Sequence, residues 1–479
     1  MANLMQMAFF RKPGGVFLLF AIAAVFINFF SINIPFFWDN VSISEYICFY
    51  NDNSFNSFIP PAITDFGAPT LNAFYLAVMC SIFGKSLVVC HLAIIPFVLG
   101  ILWEIKNISA KFIKPEFLGF VYLIVLFDPA FSTQIVLMSY DIFLLYFSLL
   151  AVRTLLEEKH LKYSISLLFL STLSFRALFF IFSLVIIHVI IITIDKKRWP
   201  GLKDFFVYIP AIALSLFWFI FHYIKTGWVI LNPTNLVHLS MNHGEMILRQ
   251  FVFILWKLAD SGRIILWLFL IIGIFTFYKK LKLNSNIKEL LTLLFIPLGI
   301  NCLIMVFLSN PVGHKYFLIT FVFLSITTVV CLQEIKSQTA RGTLITLIII
   351  FLFTGNFIIY PQKYGNAWET SLKVIPYFKM EKEFAHYVKQ QNIKPSEVFS
   401  FYPLTNNHKF TDFSEDFKYS DAEGTPLKEC QYFILSNIYN IKNPDKIRDT
   451  IQNWQLLKSS RKGQVSMALY KNPAFIVNE

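Results

Sequence analysis

Charge is what this chain has least of. Only 15% of its 479 residues are Asp, Glu, Lys or Arg, against about 25% in a typical soluble domain, which argues against a water-exposed globule. Its cysteines, Cys48, Cys80, Cys90, Cys302, Cys331 and Cys430, form no CxxC pair and no zinc spacing. That sets aside metal or redox chemistry at cysteine and leaves small buried hydrophobes. The start lacks the features of a cleavable leader: after Arg11 and Lys12 an apolar run extends from Gly15 to Phe36, too long for a leader core and without a small-residue cleavage site. Nor is there a groove-like array of arginines and aromatics, so the net charge of +12 does not point to nucleic acid.

What the chain does have is apolar blocks, each about as long as a bilayer requires. They fall near residues 15–36, 87–103, 115–127, 141–156, 163–175, 178–194, 205–222, 262–278, 289–308, 317–333 and 343–360. The expected architecture is therefore mainly α: a polytopic membrane domain of about eleven spans over residues 1–360, with a small α/β domain over 361–479. The loops on one side hold eighteen Lys and Arg and those on the other hold seven, Lys85, Arg176, Lys225, Arg249, Lys257, Arg263 and Lys315. By the positive-inside rule the first set is cytoplasmic. The N-terminus then lies inside, and the C-terminal domain outside, the inner (plasma) membrane. The apolar stretch 69–83 would invert this bias as a full span, so it is expected to lie at the outer interface within a first external loop, 37–86.

Beyond Tyr360-Pro361 the composition turns polar. Residues 378–392 and 443–454, the latter opening at Asn443-Pro444, read as helices. Residues 397–402, 431–436 and 466–471 read as strands. With no glycine-rich phosphate loop and no triad-like cluster, this domain is assigned no chemistry.

The first external loop is the most informative segment. From Phe37 to Gly84 it carries Asp39, Glu45, Asp52 and Asp65 and not one Lys or Arg. Asp39 follows an apolar span directly, where an ionisable group is expensive unless it works or is paired. It is either a solvated helix cap or a base for an incoming hydroxyl. Asp128, before Pro129, reads best as a turn, while Asp141 is equally a helix cap or a site residue. Arg176, between two apolar runs, either snorkels to headgroups or binds a phosphate. The segment Asn310-Pro311-Val312-Gly313-His314-Lys315-Tyr316 offers two donors and an aromatic suited to an anionic headgroup or to interfacial anchoring. Arg263 is a weaker case of the same kind.

An ordered set of segments resembles the GT-C glycosyltransferases, the membrane enzymes that include protein O-mannosyltransferases and lipid A aminoarabinose transferases. The segments are Trp38-Asp39, then Asp65-Phe66-Gly67-Ala68-Pro69-Thr70-Leu71, Tyr75-Leu76-Ala77, Phe83-Gly84-Lys85-Ser86 and His91. Tyr140-Asp141, Lys225-Thr226-Gly227-Trp228 and Gly313-His314-Lys315-Tyr316 follow. The resemblance implies an inverting sugar transfer from a polyprenyl-phosphate-linked donor on the external face. Asp39 would be the general base, and Arg176, His314, Lys315 and Arg263 would bind the donor phosphate. Glu45, Asp65, Asp141 and Tyr316 would position substrates. At Gly67-Ala68-Pro69-Thr70 the chain departs from the group, which commonly carries a cation there.

The expected partners are the lipid-linked donor, membrane lipids and a lipid, glycan or protein acceptor. No cofactor is required by these residues. A divalent metal is left open, with Asp39, Asp128 and Asp141 as its ligands, although no tight DxD pair is present. The alternative, a transporter or lipid flippase with an external accessory domain, would be expected to show related halves, and no repeat is visible.

Overall fold

The structure is a computed structural model, described over residues 12–62, 64–195, 197–230, 244–282, 285–308, 312–358, 368–439 and 444–475. Asn310-Pro311, Tyr360-Pro361 and Asn443, which the sequence reading singles out, lie outside these residues. Helices α1 (Pro13–Phe30), α2 (Asn40–Asp52), α3 (Leu71–Phe83), α4 (Leu87–Ser109), α5 (Leu118–Phe127), α6 (Pro129–Val136), α7 (Asp141–Leu156) and α8 (His160–Ser171) make up the first half. The second half of the membrane part contains α9 (Phe175–Asp195), α10 (Ile209–Thr226), α11 (Glu245–Ala259), α12 (Ile264–Lys282), α13 (Ser285–Phe307), α14 (Leu318–Gln333) and α15 (Gln338–Thr354).

Over the described residues each apolar block of the sequence contains helix, and local signals mark several ends. Pro13 opens α1, where its missing N–H costs nothing. Ser86 caps α4 through the Val89 N–H, and Ser337 caps α15 through Ala340. Among the described residues, seven helices are long and apolar enough to cross a bilayer. Two bent pairs raise this to nine, residues 115–136 broken by 67° and 245–276 broken by 88°. Helices α7 and α8, with 16 and 12 residues, are shorter than a straight crossing of about 20 residues requires. The chain is a multi-pass membrane protein.

One segment departs from the expected loops, and a second, 69–83, is a short helix as expected. Residues 245–259, left between two spans with Arg249 and Lys257 counted as loop cations, form α11, whose Lys257 is buried. The sharp turn from α11 into α12 depends on Gly262, which has φ +81°. A Cβ there would lie 2.0 Å from the carbonyl oxygen of Phe351, so backbone packs against backbone and no side chain fits. The stretch 69–83 supplies α3, an apolar helix of 13 residues packed on α2 and α4.

Helix α14 is the hub. Its residues from Leu318 to Leu332 are all buried, as expected of a helix apolar on every side, and α5, α7, α12 and α13 surround it. It is entered through a 3₁₀ turn, His314–Phe317, which carries His314 and Lys315 into the interior instead of leaving them as interfacial anchors.

The C-terminal part contains α16 (Ile375–Gln390), α17 (His408–Thr411) and α18 (Pro444–Ile451) with strands β1 (Val398–Ser400), β2 (Ser420–Asp421), β3 (Tyr432–Ser436), β4 (Gln455–Lys462) and β5 (Val465–Lys471). The sheet order is β2-β1-β3-β5-β4. Strand β1 is parallel to β2 and β3, and β5 is antiparallel to β3 and β4. Strands β2 and β4 were not expected. The first is two residues long, and the second is a polar edge strand without strong alternation. Met380 and Phe384 of α16 share a core with Ile434, Met467 and Leu469, and this core also takes in Phe37 and Leu137 from the membrane part. The Phe36 N–H donates to the Thr411 carbonyl at 2.8 Å. Helices α16 and α17 of the C-terminal part therefore pack against the chain at the start of α2.

Candidate functional site

That junction sets the position of Asp39. The preceding Trp38 has φ +54°, a left-handed conformation that a bulky residue adopts only when its surroundings enforce it. Its indole is packed edge-on against Tyr402, with ring centroids 5.1 Å apart. Asp39 occupies the cap position of α2 but makes no capping bond. Its carboxylate turns away, 44% exposed, to the Nζ of Lys315 at 2.7 Å. The same ammonium, 1% exposed, lies 2.8 Å from the Oε2 of Glu369.

The sequence reading placed Asp39 in a loop without cations; the structure corrects this by bringing one from far along the chain. The electrostatic result is a split pair of carboxyls. Burial raises the affinity of Asp39 for its proton, but the Lys315 charge and hydrogen bond, aided by Arg176, outweigh it and hold Asp39 below the usual carboxylate range. For Glu369, burial and the like charge of Asp39 prevail over Lys315 and push it up.

Arg176, in the first turn of α9, lies beside Lys315. Its guanidinium is 2.7 Å from Asp141 Oδ1, donates to the Tyr140 hydroxyl, and is held against the rings of Tyr140 and Tyr316, 4.8 and 4.3 Å from their centroids. Its Nη1 is buried without a hydrogen-bond partner among the described residues. Asp141 is thus not the cap of α7, a position Tyr140 holds, but the counter-ion of Arg176. Arg176 and Lys315 both line a narrow cavity whose other walls include Leu144, Leu145, Phe180, Leu318 and Ile319.

The remaining expected residues are placed differently. Arg263, fully buried, forms a two-pronged pair with Asp128, Nε to Oδ2 at 2.6 Å and Nη2 to Oδ1 at 2.7 Å, beneath the Phe321 ring. Asp128 also caps α6 through the N–H groups of Ala130 and Phe131, which fits its reading as a turn residue. His314 has both ring nitrogens engaged, Nε2 at 2.9 Å from Asp260 and Nδ1 at 3.0 Å from the Thr370 hydroxyl. Arg263, His314, Asp128 and Asp260 thereby join the breaks of the two bent helix pairs.

Asp65 is buried and bonded to His222 Nε2 at 2.8 Å, to the Gly67 N–H and to the Tyr46 hydroxyl. It holds the first loop to α10. Gly67 there has φ +73°, and a Cβ would meet the Ile230 carbonyl oxygen at 2.6 Å. Glu45 is half-buried on α2, and burial raises its carboxyl. The alternative metal set is not assembled: Asp39, Asp128 and Asp141 face three different cations. No group of three His, Cys, Asp or Glu among the described residues is placed to hold a metal ion.

Sequence reasoning missed Glu369, Tyr402 and Gln134, whose Nε2 bonds the Glu369 carbonyl at 2.7 Å. The one local signal for Glu369 was its closeness in the chain to the last span, and so to the boundary where Asp39 lies.

No protein-family model matches the chain, and no curated protein matches it by sequence. Solved structures do. ArnT from Cupriavidus metallidurans, in its apo state and bound to undecaprenyl phosphate, is similar with a TM-score of 0.54 and 11% identity over 94% of this chain and 97% of that one. The arabinofuranosyltransferase AftD from Mycobacteria gives 0.47 and 12% identity, over 95% of this chain and 39% of that one. At 11% identity the likeness to ArnT is one of architecture, and on that ground this chain has an ArnT-like polytopic membrane fold, in line with its apolar blocks and the ordered segments along residues 1–360.

Proposed function

We propose that this protein is a membrane glycosyltransferase that moves a sugar from a polyprenyl-phosphate-linked donor to an acceptor hydroxyl, with inversion, on the extracytoplasmic side of the inner membrane. The observation that carries the reading is the buried, unpartnered Nη1 of Arg176, next to Lys315 in a cavity with aliphatic and aromatic walls. Buried donors are rarely left without partners. Two neighbouring cations beside apolar walls suit a phosphate carried on an isoprenoid chain. A solved structure of the same architecture was obtained with undecaprenyl phosphate bound.

In this mechanism Asp39 accepts the acceptor hydroxyl's proton while the oxygen forms its bond to the anomeric carbon. The carbon–phosphate-oxygen bond breaks on the opposite side, and Arg176 and Lys315 stabilise the charge that develops on the leaving phosphate. Lys315 keeps Asp39 ionised beforehand, and moving the ammonium toward the phosphate raises the basicity of Asp39 as it is needed. Asp141, Tyr140 and Tyr316 orient Arg176. Asp65 and Glu45 shape the loop that presents Asp39. His314 and Arg263, expected at the phosphate, act here by fixing the helix breaks around the site.

The reading is tested by titrating the purified protein with undecaprenyl phosphate. Saturable binding that weakens in both Arg176→Ala and Lys315→Met supports it, and binding indifferent to both substitutions contradicts it.

A further inference from the structure

Glu369 has no task in the mechanism above, yet it meets Lys315 as closely as the proposed base does. We propose that Glu369 is a positioning residue that holds the Lys315 ammonium back from a bound phosphate and so sets how tightly the site grips a phosphate lipid. This rests on the reading that the phosphate lies at Arg176 and Lys315.

An ammonium has three N–H donors. Two point at Asp39 and Glu369, 2.7 and 2.8 Å away, which leaves one for a phosphate oxygen. With both carboxylates ionised, this trio carries a net negative charge, and Arg176 is already balanced by Asp141. An arriving phosphate therefore meets repulsion as well as two donors.

The carboxylate of Glu369 is not needed to anchor its own segment. Gln134 holds its backbone carbonyl, and His314 holds the next residue, Thr370. What the side chain contributes is charge. The groups whose fields reach it are Lys315, Asp39, Asp141 and Lys257, with Tyr402 nearby. Burial and Asp39 together make Glu369 the carboxyl of the pair that protonates first. Phosphate binding then takes up a proton there, and affinity rises as pH falls.

The test measures undecaprenyl phosphate affinity for the full-length protein at acid and at mildly alkaline pH. Glu369→Gln is expected to bind about tenfold more tightly than wild type at alkaline pH, the size of effect that removing one nearby charge at a partly screened site produces, and to show a flatter pH dependence. Glu369→Asp, which keeps the charge, should stay close to wild type. Binding by Glu369→Gln that is equal to or weaker than wild type overturns the inference while leaving the phosphate site standing. Should Glu369→Gln fail to fold, Glu369→Ala takes its place, and affinity equal to or weaker than wild type in that variant at alkaline pH overturns the inference equally. Absence of wild-type binding, with Lys315→Met no different, removes both the site and the inference.

Discussion

The Nζ of Lys315 lies 2.7 Å from the Oδ2 of Asp39, although 276 positions of sequence separate them. One residue follows the first span and the other opens the central helix, so the pair forms only when the ends of the membrane domain close on each other. The C-terminal domain completes the closure through Glu369 and through Tyr402, which braces Trp38. Asp39, Lys315 and the C-terminal part form one unit.

Arg263 and Arg176 are both semi-isolated arginines in sequence, and the structure gives them different surroundings. Removing Arg263 strands the buried Asp128 carboxylate, and breaking such a pair typically costs about 3–5 kcal/mol. Arg263→Met should lower thermal stability in detergent sharply, as should Asp128→Leu. A variant that stays as stable as wild type but loses phosphate-lipid binding would return Arg263 to the donor site.

Arg176→Ala strands the buried Asp141 carboxylate, so the site is tested with Arg176→Ala combined with Asp141→Asn, which removes that unpaired charge. A charge-assisted hydrogen bond is worth about 1.5–3 kcal/mol, so undecaprenyl phosphate affinity should fall by roughly one to two orders of magnitude in the folded double variant. Isothermal titration or thermophoresis measures this, and unchanged affinity counts against the assignment.

Glu381 provides a pH test in the C-terminal domain. Burial, then the charge of Asp412, push its carboxyl up to about 8. Unfolded, a Glu titrates near about 4.3. Between these values the folded protein binds more protons than the unfolded one, so stability is lost as pH rises through that window. Glu381→Gln escapes the loss. Its thermal midpoint should match wild type near the acid end and exceed it by a few degrees at mildly alkaline pH. An equal gap at both ends would show that the effect is packing and not titration.

The charge bias that orients the chain needs its own check, because Lys257, Arg263 and Lys315, counted as loop cations, are buried among the helices. A reporter fused after Glu479 should be active on the extracytoplasmic side. Cytoplasmic activity would invert the orientation and the face on which transfer is proposed.

How much of this was legible beforehand follows from the physics of each residue. Asp39 was visible because an acid at the end of an apolar run is costly wherever it lies. Its partner was not, because an ion pair across 276 positions leaves no local pattern. Arg263 and His314 read as interfacial cations because a single sequence does not distinguish a buried pair from an exposed charge. Helix α11 was missed because Arg249 and Lys257 interrupt its apolar run, and Lys257 is in fact covered, packed on Phe253 and Trp256. Strand β4 was missed because its charged and hydroxyl residues suit an edge that is paired on one side only. The helices themselves were legible because the bilayer demands length and apolarity from each one separately.

The central claim is that Asp39 takes the acceptor's proton. General-base catalysis contributes about 10²–10⁴-fold in rate, and Asp39→Asn keeps the shape of the side chain while removing its capacity to accept that proton. The decisive measurement is turnover of a polyprenyl-phosphate-linked sugar by Asp39→Asn beside its affinity for undecaprenyl phosphate. The account predicts a fall in turnover of that size with lipid binding retained, and a much smaller effect for Glu45→Gln. Wild-type turnover in Asp39→Asn would contradict it.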